Sequence, residues 1–271
     1  MPPATDAPAL FVPAGDDRWL PTEAGRGPWS PDALHGGPVA ALVAGALERV
    51  LDAERPGLVP ARLTVELLRP VPVAPLTVVA RPTRPGRKVQ LADADLLDGA
   101  GTLLATARLL RIRTDDVPAP VTTDVAPPPP PANGTDTRPD RGDDDWAAFH
   151  NVGTDHRFVA GRFGVPGPAT DWIRLRVPVT PGVEPTPLQR VAAAADFGNG
   201  ISGVATFETL LFINPDLTIH LHRLPVGEWV CLDAVTWMEG HGTALAESRL
   251  WDERGPLGRS LQSLLVDRRT P

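Results

Sequence analysis

The chain has 271 residues, of which 42% are hydrophobic and 22% charged, with a net charge of −7. That length suits one large domain or two of about 130 residues, each able to bury its own core. The acidic balance argues against nucleic acid as the main partner, which calls for a basic face, but it leaves room for an anionic ligand held by a local arginine cluster.

The N-terminal "MPPATDAPALFVPAGDD" has no basic start and no continuous apolar core, so it does not read as a signal peptide. No stretch approaches the ~18 apolar residues of a membrane span. The expectation is a soluble cytoplasmic protein. A leading strand is expected around "ALFVPA". In "SPDALHGGPVAALVAGALERVLDAE" a cap-like Ser-Pro-Asp precedes the pair Gly36–Gly37, and from Val39 an Ala/Leu/Val helix follows. Its apolar residues almost encircle it, so it is expected to be buried on most sides. Strand-like runs come next: "ARLTVELLRPV", "PLTVVARPTRPG", "RKVQLADADLLDG" and "GTLLATARLLRIR", punctuated by proline and glycine. One buried helix followed by an antiparallel meander is an α+β unit, with the sheet wrapped around the helix.

Residues 114–145 hold five consecutive prolines and scattered acids, the composition of a semi-extended linker. The expected organisation is therefore a unit over 1–113, a linker over 114–145 and a second unit over 146–271. The "NGT" at Asn133 has the form of a glycosylation acceptor, which carries no meaning without secretion. In the second unit "DWIRLRVPV" leads and "TPLQRVAAAADFGNGISG" takes the helix position. "FETLLFINPDLTIHLHRL", "GEWVCLDAVTWMEG", "GTALAESRLWDE" and "GPLGRSLQSLLVDRR" then supply strands.

The two halves share letters as well as order. "LTVELLR" (Leu63–Arg69) returns as "LTIHLHR" (Leu217–Arg223), an offset of 217 − 63 = 154. The same offset places Asp98 and Gly101 on Asp252 and Gly255, and Leu103 on Leu257. A period of that size is an internal duplication of a small domain. It also provides a control, because polarity that differs between matched positions marks something one half has acquired. Asp196, within an alanine run, matches Leu42; Asn214 matches Pro60; Gln262 matches Arg108. A carboxylate where the twin is apolar is costly to bury unless something polar faces it.

The pieces "HGGPVAALVAGALE", "DLTIHLHRLPVGEW" and "DERGPLGRSLQSLLV" in this order resemble the acyl-CoA thioesterases of the hotdog superfamily, in particular the type II, TesB-like branch, over most of residues 20–269 apart from the linker. The resemblance implies a tandem or double hotdog: two curved antiparallel sheets, each around a long central helix, pairing edge to edge. It implies an acyl-CoA substrate and hydrolysis to free acid and coenzyme A, with no metal or cofactor, no nucleic acid and no membrane. Fused chains of this kind often pair further, which leaves a homodimer open, while the sequence itself is silent on the number of chains. The family uses an Asp on the second helix, a Thr or Ser at the start of the next strand and a Gln on the last strand to hold and activate a water. Asp196 and Gln262 match by type and place. Asn214 stands where the hydroxyl residue would be; it can bind a water through its amide oxygen but cannot be a nucleophile. Thr218 lies too far along the strand and ranks second. In this scheme Asp196 is the general base, Asn214 and Gln262 orient the water, and backbone N–H groups after Gly36 and Gly37 are oxyanion donors, if those glycines are not simply there for close packing.

Other signals are weaker. "GNGISG" (Gly198–Gly203) spells a dinucleotide fingerprint but follows a helix, not a strand. Ser202 has no nucleophile elbow around it. His220 and His222 share a strand face without a supporting metal cluster. His35 reads as a helix-start residue with a lesser claim to catalysis. Cys231, the single cysteine, excludes a disulfide framework and reads as a small buried hydrophobe. Trp229 and Trp237 read as core. Lys88 is the sole lysine. Arg223, Arg268 and Arg269 are candidates for the phosphates of coenzyme A, against plain surface solvation. Two rivals stand: a hotdog-fold enoyl-CoA hydratase or dehydratase, disfavoured because the polar trio lacks His, and a non-catalytic acyl-CoA binding or biosynthetic tailoring protein.

Overall fold

The Ala/Leu/Val run forms α1 (Gly36–Glu54), nineteen residues long. Val39–Ala44, Ala46, Leu47 and Leu51 are all buried, as an apolar circumference requires. A computed structural model describes residues 6–54, 57–118, 125–138, 146–206 and 209–269. Two short strands, β1 (Phe11–Pro13) and β2 (Arg18–Pro21), precede α1. β3 (Leu58–Leu67), β4 (Leu76–Pro85), β5 (Val89–Asp98) and β6 (Leu103–Arg113) follow it. The second half runs β7 (Thr154–Ala160), β8 (Ala169–Leu175), α2 (Pro187–Ala195), α3 (Gly198–Ile201), β9 (Leu210–Ile213), β10 (Asp216–Leu221), β11 (Val230–Met238), β12 (Thr243–Asp252) and β13 (Gly255–Arg268).

The strands join one antiparallel sheet in the order β1-β2-β4-β5-β6-β3-β10-β13-β12-β11-β8-β7, with β9 also on β13. Read from the centre outward, both arms carry corresponding strands. The seam is β3 against β10, where Val65, Thr64 and Leu63 face Leu217, Thr218 and Ile219. These are the repeated segments themselves. Thr64 and Thr218 are twins at 218 − 64 = 154 and sit directly opposite each other, so the local two-fold relating the halves passes between them. Pairing here also removes an open edge from each half. α1 packs against β3 to β6, α2 against β8, β10 and β11, and α1 and α2 lie against one another.

Three findings depart from the sequence reading. Only the first helix is long: the second breaks after Ala195 into α2 of nine residues and α3 of four. The twin of β3 is also broken, at Asn214–Pro215, into β9 and β10; the first half carries only a bulge between Pro60 and Arg62 there. Third, the hairpin before β13 is one residue shorter than its counterpart. Asp98 N–H bonds Thr102 O, four residues on, whereas Asp252 pairs Gly255, three on. From there the halves correspond at 153, not 154. Thr64 faces Arg108 while its twin Thr218 faces Leu261. The structural twin of Gln262 is therefore Leu109, not Arg108. A one-residue slip turns each side chain to the other face of a strand: Arg108 points outward to Asp93, and Leu109 and Gln262 are both buried.

Within the proline-rich stretch, residues 125–138 pack onto the second half. Pro131 is buried, Trp172 Nε1 donates to Pro129 O at 2.8 Å, and Thr135 bridges Phe158. Residues 119–124 and 139–145 of that stretch lie outside the described residues. Among the described residues, no helix is long and apolar enough to cross a membrane and no cluster of three His, Cys, Asp or Glu could hold a metal.

Candidate active site

Thr186 caps α2 by accepting from Gln189 N–H at 3.1 Å, and Gln189 Oε1 accepts Thr186 N–H at 3.0 Å. This reciprocal box fixes the helix start. It also ties α2 to α1, since Gln189 Nε2 donates to Ala41 O (3.2 Å) and Thr186 Oγ1 donates to Glu48 Oε2 (2.6 Å). The two helices meet through glycine. A Cβ on Gly37 would lie 2.5 Å from Ala193 O, and one on Gly36 would lie 2.7 Å from Asp196 Oδ2. The Gly36–Gly37 pair of the first half is thus pressed against the second helix, at its acidic residue.

Asp196 occupies the break between α2 and α3, at the C-cap of α2, and is 4% exposed. A buried carboxylate is tolerated only when bonded, and this one is. Its Oδ1 accepts from Asn214 Nδ2 at 2.8 Å and from Gln262 Nε2 at 3.2 Å. Its Oδ2 faces His35 Nδ1 at 2.8 Å. All three sequence candidates therefore meet, brought from the helix break, the β9–β10 break and β13. The breaks after Ala195 and at Asn214–Pro215 bring polar groups to places where the first half has the unbroken α1 and a bulged β3.

Gln262 and Asn214 sit differently toward the cavity. Gln262 does not line the cavity described below. It is 1% exposed, its Nε2 is spent on Asp196 O and Oδ1, and its Oε1 takes Asn199 N–H at 3.0 Å. Both ends of its amide are thus bonded within the protein. Gly198 makes room for it, since a Cβ there would lie 2.7 Å from Gln262 Oε1. Asn214 Nδ2 has both hydrogens committed, to Asp196 and to Asp216 O at 3.1 Å, leaving its amide oxygen as the group open to a water. The folded chain adds a His to this polar set, His35. His35 Nδ1 lies 3.1 Å from Gly37 N as well. One ring nitrogen serves one of these partners at a time. Beside an ionised Asp196 the charge-assisted bond is the stronger, which places the proton on Nδ1 and the lone pair on Nε2.

Asp196, Asn214 and His35 stand on the wall of a cavity of about 550 Å³, within the usual range for small-molecule sites, roughly 300–1,000 Å³. Asp196, Asn214, His35, Gly36 and His150 line it together with a mostly apolar wall that includes Trp29, Leu67, Phe163, Phe197 and Leu265. His150 escaped the sequence reading. It follows the proline-rich stretch, in the one-turn π-helix Phe149–Gly153, and no pattern in "WAAFHNVG" marks it. Burial, then His35, His156 and Arg138 nearby, push its pKa down to about 3. Behind Phe197 lies a second, fully buried pair, His156 Nδ1 to Asp171 Oδ2 at 2.5 Å, with Thr154 Oγ1 2.9 Å from the other ring nitrogen. His156 meets the Phe197 ring edge-on.

The remaining candidates fall away from the cavity. Arg223 forks onto Asp252 at 2.6 and 2.7 Å and is not free for a phosphate. Arg268, Arg269, His220 and His222 are exposed. Ser202 bonds Thr236 and Gly198 O. Burial raises the Cys231 thiol pKa, which makes it a poor nucleophile.

Two families match the sequence: the acyl-CoA thioesterase N-terminal domain over residues 25–112 and the acyl-CoA thioesterase C-terminal domain over residues 122–266. No curated protein matches it. Among solved structures, a conserved protein of unknown function with a hot dog fold from Alicyclobacillus acidocaldarius superposes with a TM-score of 0.73 at 18% identity, over 98% of this chain and 97% of that one. The tesB protein of Mycobacterium avium subs paratuberculosis gives 0.67 at 16%, covering 95% of each. The acyl-CoA thioesterase II TesB2 of Mycobacterium marinum gives 0.63 at 17%, over 96% and 95%. At such identities the likeness concerns the fold, which is a hot dog. The hydratase and non-catalytic readings find no support in these matches.

Proposed function

The chain belongs to the acyl-CoA thioesterase family and hydrolyses acyl-CoA thioesters to free acid and coenzyme A, and on that premise we propose that Asp196 is the base that activates the attacking water. The observation that carries this is the 4%-exposed carboxylate at the wall of a largely apolar cavity, fixed on three sides by Asn214, Gln262 and His35. The acyl chain lies along the apolar wall. A water bound to Asp196 and to the Asn214 amide oxygen attacks the thioester carbon and passes its proton to the carboxylate. The tetrahedral oxyanion collapses, the C–S bond breaks, and that proton goes to the leaving thiolate. The two halves are two hotdog domains in tandem, 1–113 and 146–271; the mirrored strand order and the Thr64–Thr218 two-fold support this.

A second reading follows from the 2.8 Å His35–Asp196 contact. Here His35 Nε2 takes the proton and Asp196 holds the ring in the right tautomer, as in other His–carboxylate pairs. Asp196→Asn and His35→Gln, assayed for thiol release, separate the two. With Asp196 as base, Asp196→Asn loses about 10²–10⁴-fold in kcat and His35→Gln loses less. The reverse order favours His35. Wild-type turnover in both variants, at unchanged stability, removes this site from the reaction.

A further inference from the structure

The reaction needs a donor for the oxygen that becomes negative, and the groups first considered for it are turned away from the cavity or already bonded. Gly37 N–H faces His35 Nδ1, and Gly37 is not on the cavity wall. The amide hydrogens of Asn214 and the bonded amide of Gln262 are turned to Asp196 and its neighbours. With the His35 proton on Nδ1, its Nε2 is an acceptor.

His150 is placed differently. It lines the cavity, yet its ring makes no hydrogen bond to any described residue, and Nδ1 is sealed away without a partner. Nε2, the other ring nitrogen, is not among the sealed, unpartnered atoms. A proton on Nδ1 would be a buried donor with no acceptor, the rarer and costlier kind of orphan, so the neutral ring carries its hydrogen on Nε2. The ring is held flat against Phe163, with centroids 5.9 Å apart and planes 10° from parallel. Its backbone is held too, since Arg138 donates to His150 O. The preceding residue, Phe149, packs on both His35 and Phe197, with ring centroids 5.3 Å away in each case. His150 is thereby tied to the residues beside Asp196.

We propose that His150 is the hydrogen-bond donor to the thioester carbonyl, holding through Nε2–H the oxygen that becomes the oxyanion. This rests on Asp196 as the centre of the reaction. The ring stays neutral across the working range, because burial first, and then the neighbouring His35, His156 and Arg138 side chains, oppose a proton on it. It therefore stabilises charge without titrating, and its donor strength does not change with pH. Removing one such donor costs about 10²–10³-fold in kcat.

The test uses the full chain and the acyl-CoA it turns over fastest in a series of graded length. His150→Phe keeps the stacking on Phe163 and is expected to lose about 10²–10³-fold in kcat with KM within a few-fold. His150→Gln, which can still donate, recovers a substantial part of that loss. Thermal midpoints are read alongside. Wild-type kcat in His150→Phe, or equal losses in the Phe and Gln variants at unchanged midpoint, overturns the proposal. Asp196→Asn is run in parallel: full activity there sinks the base assignment, whereas a loss there beside an intact His150→Phe sinks only the role of His150.

Discussion

Gly36→Ala is the sharpest single test of the site's construction. The added methyl would lie 2.7 Å from Asp196 Oδ2, 2.9 Å from Oδ1 and 3.0 Å from Cγ. Ordinary contact begins at 3.4 Å, so the carboxylate must retreat by 3.4 − 2.7 = 0.7 Å. It cannot do so freely, because Asn214, Gln262 and His35 hold both of its oxygens. A misplacement of about 1 Å in a reacting group costs about 10²-fold, so the expected loss in kcat/KM is about 10–10²-fold. The fold should survive. Gly36 has no left-handed φ, and alanine is the better helix former by up to about 1 kcal/mol. Gly99→Ala is the control, since a Cβ there meets nothing within 4 Å. The assay is thiol release from acyl-CoA with the unfolding midpoint measured in parallel. Wild-type kcat/KM in Gly36→Ala would refute the claim that the first half's helix start abuts the working carboxylate.

Two further predictions concern stability. Glu48, at the α1–α2 contact, has its pKa raised from 4.5 to about 7, chiefly by burial and partly opposed by the Thr186 hydroxyl. Between those values the folded chain holds a proton that the unfolded chain releases, so this group's contribution declines as pH rises from about 4.5 to 7. The full difference, 7 − 4.5 = about 2.5, at about 1.4 kcal/mol each, is of order 3 kcal/mol. Glu48→Gln should match wild type near pH 4 and melt about 5–10 °C higher at pH 8; parallel curves in calorimetry would contradict it. Arg223→Ala leaves the fully buried Asp252 side chain with only the backbone donors of Val226, Arg254 and Gly255. It should cost about 2–4 kcal/mol by denaturant titration. Its KM for acyl-CoA should not change, because the guanidinium is spent on Asp252; a raised KM would restore it as a phosphate ligand.

Much of this protein is written locally. The apolar circumference of α1, the alternating strands between glycine and proline stops and the offset of 154 are short-range patterns, and each carries its own geometric meaning. Asp196 was legible because it broke such a pattern: its sequence twin is Leu42. Asn214 was legible for the same reason, as a polar residue where the twin strand has proline.

What depends on two distant stretches meeting was not legible. Gln262 was found by type, yet paired with the wrong twin, because a hairpin one residue shorter shifts the register and only the hydrogen-bond ladder records that shift. His35 looked like the start of one helix and became part of the carboxylate's setting only when α1 met α2 through Gly36 and Gly37. His150 carries no local signature; its meaning lies in a sealed Nδ1 and an open cavity, both made by residues far away in the chain. Periodicity and turn chemistry act over a few residues and so survive in the letters. Burial, register and the hydrogen bonds of a catalytic group are sums over neighbours that only the folded chain assembles.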